Sequence, residues 1–349
     1  MISVRSITRI VVPLAAIAAM LVAPLTPVAA SGGGSRCVDF ALPVALTPGG
    51  VADQRVAGTY CAPARWHGPR TVDVFTPGAG YTSEYWTWST YRPERYSVVR
   101  RTLAAGRATI VYDPLGRARS TKPVSTAVTF ATDTHVLDSL VALARLGHRR
   151  VNSIGHSYGS AVVIEQAATG RARVDRVVAT GFAHGPRNVE VGTRNYPANN
   201  EPRFAELDSG YLTSRPGTRM LSFYHEPGVE PGLVAADEAT KDTISVTAFG
   251  GYVAQQSAAP ADNVSRLIRA PVLLLMGQQD SIFCRAPAPH DCTRPQAMRE
   301  YELAYFPAAS RFSVVTVPHT GHSMTGHRSA DAGFAALNAF LTGPAWPMS

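Results

Sequence analysis

Between Arg150 and Ile164 the chain reads Arg-Val-Asn-Ser-Ile-Gly-His-Ser-Tyr-Gly-Ser-Ala-Val-Val-Ile. A short apolar strand ends at Ile154, Gly-His-Ser-Tyr-Gly follows, and an Ala/Val/Ile-rich helix begins at once. Few folds can use that order of strand, very sharp turn and helix. Gly155 and Gly159 lack Cβ atoms, so strand and helix can approach closely while the serine backbone takes a strained conformation. Ser157 Oγ is then presented above a sheet, and the Tyr158 amide, at a helix N-terminus, points to where an oxyanion would form. The pentapeptide alone would also suit a tight turn whose serine is merely small. The rest of the chain must supply its partners.

Further buried strands are predicted over Thr71–Phe75, Ala108–Tyr112, Val174–Ala179, Pro271–Met276 and Phe312–Val317. Helical periods run from Asp133 to Leu146 and from Ala332 to Leu341. Ser157, Asp280 and His322 each come just after the C-terminal end of one of these strands. In a parallel sheet such ends share one rim, where α/β enzymes place ligands. Serine is a poor nucleophile until an imidazole takes its proton, and the imidazole needs an acid to fix its tautomer and stabilise its cation. Asp280 is the best-placed acid, because it directly follows the late strand. His322 is the preferred base and His319 its rival. The turn Thr76-Pro77-Gly78-Ala79-Gly80 can present bare backbone amides, as an oxyanion site needs, or be an ordinary turn. Tyr81, Tyr85, Trp86, Trp88 and Tyr91 read as core packing more than pocket wall.

The order Ser…Asp…His around Gly155-His156-Ser157-Tyr158-Gly159 resembles the α/β-hydrolase superfamily in its serine-hydrolase, esterase/lipase-like branch. The resemblance runs from about Thr71 to Leu341. It implies a mostly parallel central sheet with helices on both faces and an inserted lid after the sixth strand. By the same resemblance Pro77-Gly78-Ala79 stands where that family has a His-Gly-x oxyanion turn, so Ala79 would supply the second oxyanion amide beside Tyr158. Asp113 to Ser120 is similar to the Asp-x-x-Gly-x-Gly-x-Ser turn, with Ala118 where glycine is common. Gly321-His322 matches the family's Gly-His and favours His322 over His319. Members that use an aspartate nucleophile, dehalogenases and epoxide hydrolases, are disfavoured by Ser157.

Pro186 to about Arg269 breaks the pattern: prolines, asparagines and charges interleave with aromatics, and no strand–helix alternation is visible. An inserted lid is the expectation there. The start of the chain is different again. Arg5 and Arg9 precede an apolar run from Ile10 to Leu25 that contains Pro13 and Pro24, and Val28-Ala29-Ala30 offers a cleavage site. The run is too short and broken for a permanent span, so a signal peptide over 1–30 and secretion are expected. Core segments 31–185 and 270–349 would then flank the lid at 186–269. Removing thirty residues leaves 349 − 30 = 319, ample for one large α/β domain, and drops the formal charge from +8 to +6 through loss of two arginines. The basic residues are scattered, with no basic run that would suggest nucleic acid.

Four cysteines agree with export. Three pairings are open; proximity prefers Cys37–Cys61, stapling an N-terminal hairpin, and Cys284–Cys292, enclosing a loop four residues past Asp280. That loop carries Pro287, Pro289 and His290 and no apolar run, so the bridge is expected either to pin the acid loop or to be, like the first, a generic staple of an exported protein. No metal motif exists: His319 and His322 are three apart without further ligands. The expected protein is a cofactor-free hydrolase of carboxylic esters acting on a small-molecule or lipid-like acyl substrate. Two alternatives stand beside it. One is an exopeptidase-like amide hydrolase gripping an ammonium with Glu201, Glu206, Asp208, Glu226 or Glu230; the other is a secreted binding protein of the same fold without turnover.

Overall fold

The computed structural model describes residues 34–343; the expected signal peptide lies outside them. An N-terminal hairpin opens the chain, β1 (Arg36–Val44) and β2 (Gln54–Ala62), with Cys37 opposite Cys61 in the register and bonded to it. Then β3 (Thr71–Thr76), β4 (Ala108–Tyr112), β5 (Arg150–His156) and β6 (Arg176–Thr180) follow. They alternate with helices α1 (Val98–Ala104), α2 (Phe130–Gly147) and α3 (Tyr158–Thr169). After a long excursion the chain returns as β10 (Val272–Gly277) and β11 (Phe312–Val317), with α7 (Pro295–Glu302) between them and α8 (Ala330–Thr342) last.

These strands form one eight-stranded sheet in the order β1-β2-β4-β3-β5-β6-β10-β11. Only β1–β2 and β2–β4 pair antiparallel; the other five pairings are parallel. β3, β4, β5, β6 and β10 are buried along nearly their whole length; β4, β6 and β10 accordingly read as mainly apolar runs rather than alternating ones, whereas β3 and β5 also bury Asp73, Asn152 and Ser153. Alternate residues feed two cores. Val74, Ile110, Val151 and Leu274 pack toward α2 and α3, whereas Phe75, Val111, Ile154 and Leu275 pack toward α1 and α8. Helix α2 begins one turn before Asp133, because the Thr129 hydroxyl accepts from the Thr132 amide and caps it.

The excursion between β6 and β10 is more regular than its sequence suggests. It holds a three-stranded antiparallel sheet, β7 (Asn195–Pro197), β8 (Tyr211–Ser214) and β9 (Ile244–Ser245). With it come helices α4 (Arg219–Phe223), α5 (Pro231–Thr240) and α6 (Val246–Ser257). The strands are too short for alternation to show. In α5 the buried positions are Leu233 and Asp237, so half of its inward stripe is a charge and no apolar period appears.

Candidate active site

The sheet reverses its winding at β3, which has β4 on one side and β5 on the other. At that switch point the loops after β3 and β5 diverge and leave a crevice. Thr76 lies opposite Gly155 in the register, so the Pro77-Gly78-Ala79 turn and the Ser157 elbow emerge side by side. A Cβ on Gly159 would lie 2.4 Å from the Thr76 carbonyl oxygen, closer than real atoms approach. Glycine is therefore required where the helix passes the turn. Ser157 itself sits at φ 53°, ψ −120°, a costly conformation for a residue with a Cβ. Its amide donates to the Thr180 carbonyl at 2.8 Å. From Val151 to Ile164 it is the one residue that is not buried.

The other two candidates meet because β10 and β11 are parallel neighbours, Gly277 opposite Val317. A Cβ on Gly277 would lie 2.3 Å from the Thr320 carbonyl oxygen, so the two following loops touch there. Asp280 and His322 are both buried, and His322 Nδ1 lies 2.8 Å from Asp280 Oδ2. Asp280 Oδ1 accepts from the amides of Ile282 and Phe283 at 2.8 and 3.2 Å. With Nδ1–H donated to the carboxylate, Nε2 is the basic nitrogen. Ser157 and His322 line one narrow cleft together with Ala79 and Tyr158. No direct hydrogen bond joins Ser157 to His322 among the described residues, a contact that often tightens only around substrate. His319, by contrast, is exposed, at φ 53° on a turn, and does not line the cleft.

Ala79 donates its amide to no protein acceptor among the described residues. Tyr158 opens α3, where no upstream helical carbonyl takes its N–H. Two residues hold this turn. Arg117, buried, donates from one Nη1 to the carbonyls of Gly78 and Tyr81 at 2.7 and 3.0 Å. The Asp242 amide donates to the Gly80 carbonyl at 2.9 Å. Neither residue is singled out by the sequence; Arg117 lies in the Asp113–Ser120 turn, whose Ala118 adopts φ 36°, the glycine-favouring region.

Two further histidines back the site. His156 stacks on Tyr85 at 4.2 Å and lies 4.9 Å from His322, ring to ring. Burial, and next the neighbouring His322, push its pKa well below the usual histidine value, so it stays neutral. His327 Nε2 accepts from the amides of Gly321 and His225 at 2.9 and 3.1 Å, while Nδ1 donates to the Ser323 carbonyl at 2.9 Å. It thus clasps the backbone on both sides of His322, and burial lowers its pKa to about 4. No sequence signal marked it.

Most of the remaining cleft lining comes from the β6–β10 excursion, including Arg187, Arg219, Phe223, Phe249 and Tyr252. Arg219 is buried and pairs both ways with buried Asp237, Nε to Oδ2 and Nη2 to Oδ1, each at 2.8 Å. Tyr224 donates to Asp237 as well, and Tyr81 shares a 2.5 Å hydrogen bond with Ser323, beside His322. Of the aromatic group after β3, Tyr85, Trp86 and Trp88 are core, and Tyr81 is both buried and part of the cleft wall. None of Glu201, Glu206, Asp208, Glu226 and Glu230 lines the cleft. Glu201 is bound to Lys241, and Glu230 to Arg92 and Arg95. The acid loop carries the Cys284–Cys292 bridge, but it is better packed than expected: His290 is buried and bonds through Nε2 to the His184 carbonyl at 3.0 Å.

Residues 74–337 match the model of the Alpha/beta hydrolase family, and the chain belongs to that family. Among solved structures, a thermophilic esterase from Thermogutta terrifontis is 17% identical, with a TM-score of 0.56 over 87% of this chain and 97% of that one. A monoacylglycerol lipase from Paleococcus ferrophilus is 20% identical, TM-score 0.53, over 83% and 98%. A hydrolase from Pseudomonas aeruginosa PA01 is 14% identical, TM-score 0.57, over 87% and 98%. At these identities the likeness is one of fold. No curated protein matches the sequence.

Proposed function

We propose that this hydrolase is a secreted serine esterase that works through an acyl-enzyme, with Ser157, His322 and Asp280 as its triad. The observation that carries the reading is the shared cleft: a strained, accessible serine and an imidazole whose far nitrogen is bound to a buried carboxylate. Ser157 Oγ attacks the ester carbonyl carbon as His322 Nε2 takes its proton. The oxyanion so formed is held by the Ala79 and Tyr158 amides. On collapse the C–O bond to the alcohol breaks, and His322 returns the proton to the leaving oxygen. Water then attacks the acyl carbon, gives its proton to Nε2, and the acid departs as Ser157 is reprotonated. Asp280 stabilises the imidazolium at each step.

Esters are favoured over peptides because no carboxylate lines the cleft to hold a substrate ammonium, while Phe223, Phe249, Tyr252 and Ile282 offer apolar walls. The segment 186–269 acts as the lid in this reading. Secretion is supported by the basic-then-apolar start and by the two disulfides. A fluorophosphonate probe, followed by peptide mapping, is expected to mark Ser157 alone. Ser157→Ala and His322→Ala should abolish turnover of activated esters, and His319→Ala should be mild. Full activity in a folded Ser157→Ala protein would end the proposal.

A further inference from the structure

The cleft holds two arginines and no carboxylate among its lining residues, yet only one of the two is neutralised. Arg219 spends its guanidinium on Asp237. Arg187, half-buried at the start of the excursion, has no ion pair among the described residues. It is nonetheless fixed in place. Gln256, fully buried, is anchored by its Nε2 on the carbonyls of Ala183 and Gly185 at 2.8 and 2.6 Å. Its Oε1 accepts from Arg187 Nη1 at 3.0 Å. The guanidinium also stacks over the Tyr252 ring at 5.5 Å, and Tyr252 in turn meets Tyr158 edge-on at 5.7 Å. The other N–H groups of Arg187 have no protein acceptor among the described residues. Asp280, behind His322, is already committed to the imidazole and two amides.

An arginine held by a buried amide, stacked on an aromatic wall and left with free donors is arranged to receive an anion. Resting on the esterase reading, we infer that the substrate is a half-ester, whose second, free carboxylate is bound by Arg187 while the ester carbonyl lies at Ser157. A carboxylate fits better than a phosphate dianion, since the charge of the second guanidinium is already neutralised by Asp237 and the cleft is narrow. The same positive charge rejects a free ammonium, which sets this specificity against an aminopeptidase's.

Wild type should be assayed on p-nitrophenyl half-esters of glutaric, adipic and pimelic acid beside p-nitrophenyl esters of monoacids of equal length. At the best spacer the half-ester should be preferred in kcat/KM by roughly ten- to hundredfold, most of it in KM. Arg187→Gln should bring that ratio close to one, and Arg187→Glu should push it below one. No preference in wild type at any length, or an unchanged ratio in both variants, would overturn the inference. The wild-type series stands even if a variant fails to fold. Calorimetry of monomethyl adipate with the Ser157→Ala protein, with and without Arg187→Gln, separates the two levels. Arg187-dependent binding, together with a wild-type protein that turns over no ester, keeps the anion site and removes the esterase reading; ester turnover by wild type without such binding does the reverse.

Discussion

At the sheet rim, Ser157, Asp280 and His322 follow strands already fixed by the hydrogen-bonded ladder of the sheet, and the Asp280–His322 contact is made in the loops. The segment between β6 and β10 is built the other way round. Its interior holds Arg219, Asp237 and Lys241, all nearly inaccessible, and three of its aromatic side chains, Phe223, Phe249 and Tyr252, face the cleft. A rim of short loops on a parallel sheet needs only local bonds to place an atom, because the strands fix everything else. A segment with few residues in strands must be tied together by directed bonds, and buried ion pairs supply direction at a cost in desolvation. The rim should therefore answer to substitution in rate, and the segment in stability and selectivity.

The largest effect tests the rim. Asp280→Asn keeps a hydrogen-bonding group beside His322 but cannot stabilise its cation. A loss of about three to four orders of magnitude in kcat is expected, with little change in KM or melting temperature. A loss below tenfold would break the assignment of the acid. Next comes the segment. Arg219→Met leaves Asp237 buried without its partner and should cost about 3–5 kcal/mol in urea unfolding. Adding Asp237→Asn should restore part of that, since the stranded charge is then gone. A single-variant cost under 1 kcal/mol would mean that the pair does not organise the segment.

The two disulfides sharpen the same contrast. Cys37–Cys61 staples a hairpin at the sheet's far edge, and its loss should lower stability by about 3 kcal/mol with kcat unchanged. Cys284–Cys292 closes a shorter loop beside Asp280. Replacing both of these cysteines by serine should lower kcat well below the melting temperature, because the acid's turn loses one of its anchors. Equal effects of the two pairs on both quantities would show that the bridges are generic staples.

The smallest effect is set by pH. His327 is held below its unfolded value of 6.5, at about 4, so between these values the unfolded chain binds more protons than the folded one. Stability from this group is complete above about pH 6.5 and is lost as pH falls toward 4. Between pH 7 and pH 5 the loss should be about 2 kcal/mol, read as a falling urea midpoint. His327→Gln should flatten that slope. An unaltered pH dependence in the variant would remove His327 from the account.

The sequence by itself determined the parts whose physics is local. The elbow was legible because Gly155 and Gly159 are forced by atoms a few residues away or on the adjacent strand. The buried strands were legible as apolar runs, and β4 and β11 fall where those runs do. Asp280 and His322 could be named because each follows such a run closely. What only the tertiary structure decided lies where side chains far apart in sequence answer one another. His327 acts on the backbone around His322, Arg117 on the turn after β3, and Gln256 on Arg187 across 69 positions. Helix α5 was hidden for the same reason, since its inward face is completed by a charge that is tolerable only once Arg219 is opposite it. Hydrophobic periodicity records what must avoid water, but a buried polar contact depends on both partners, and a single chain position carries only one of them.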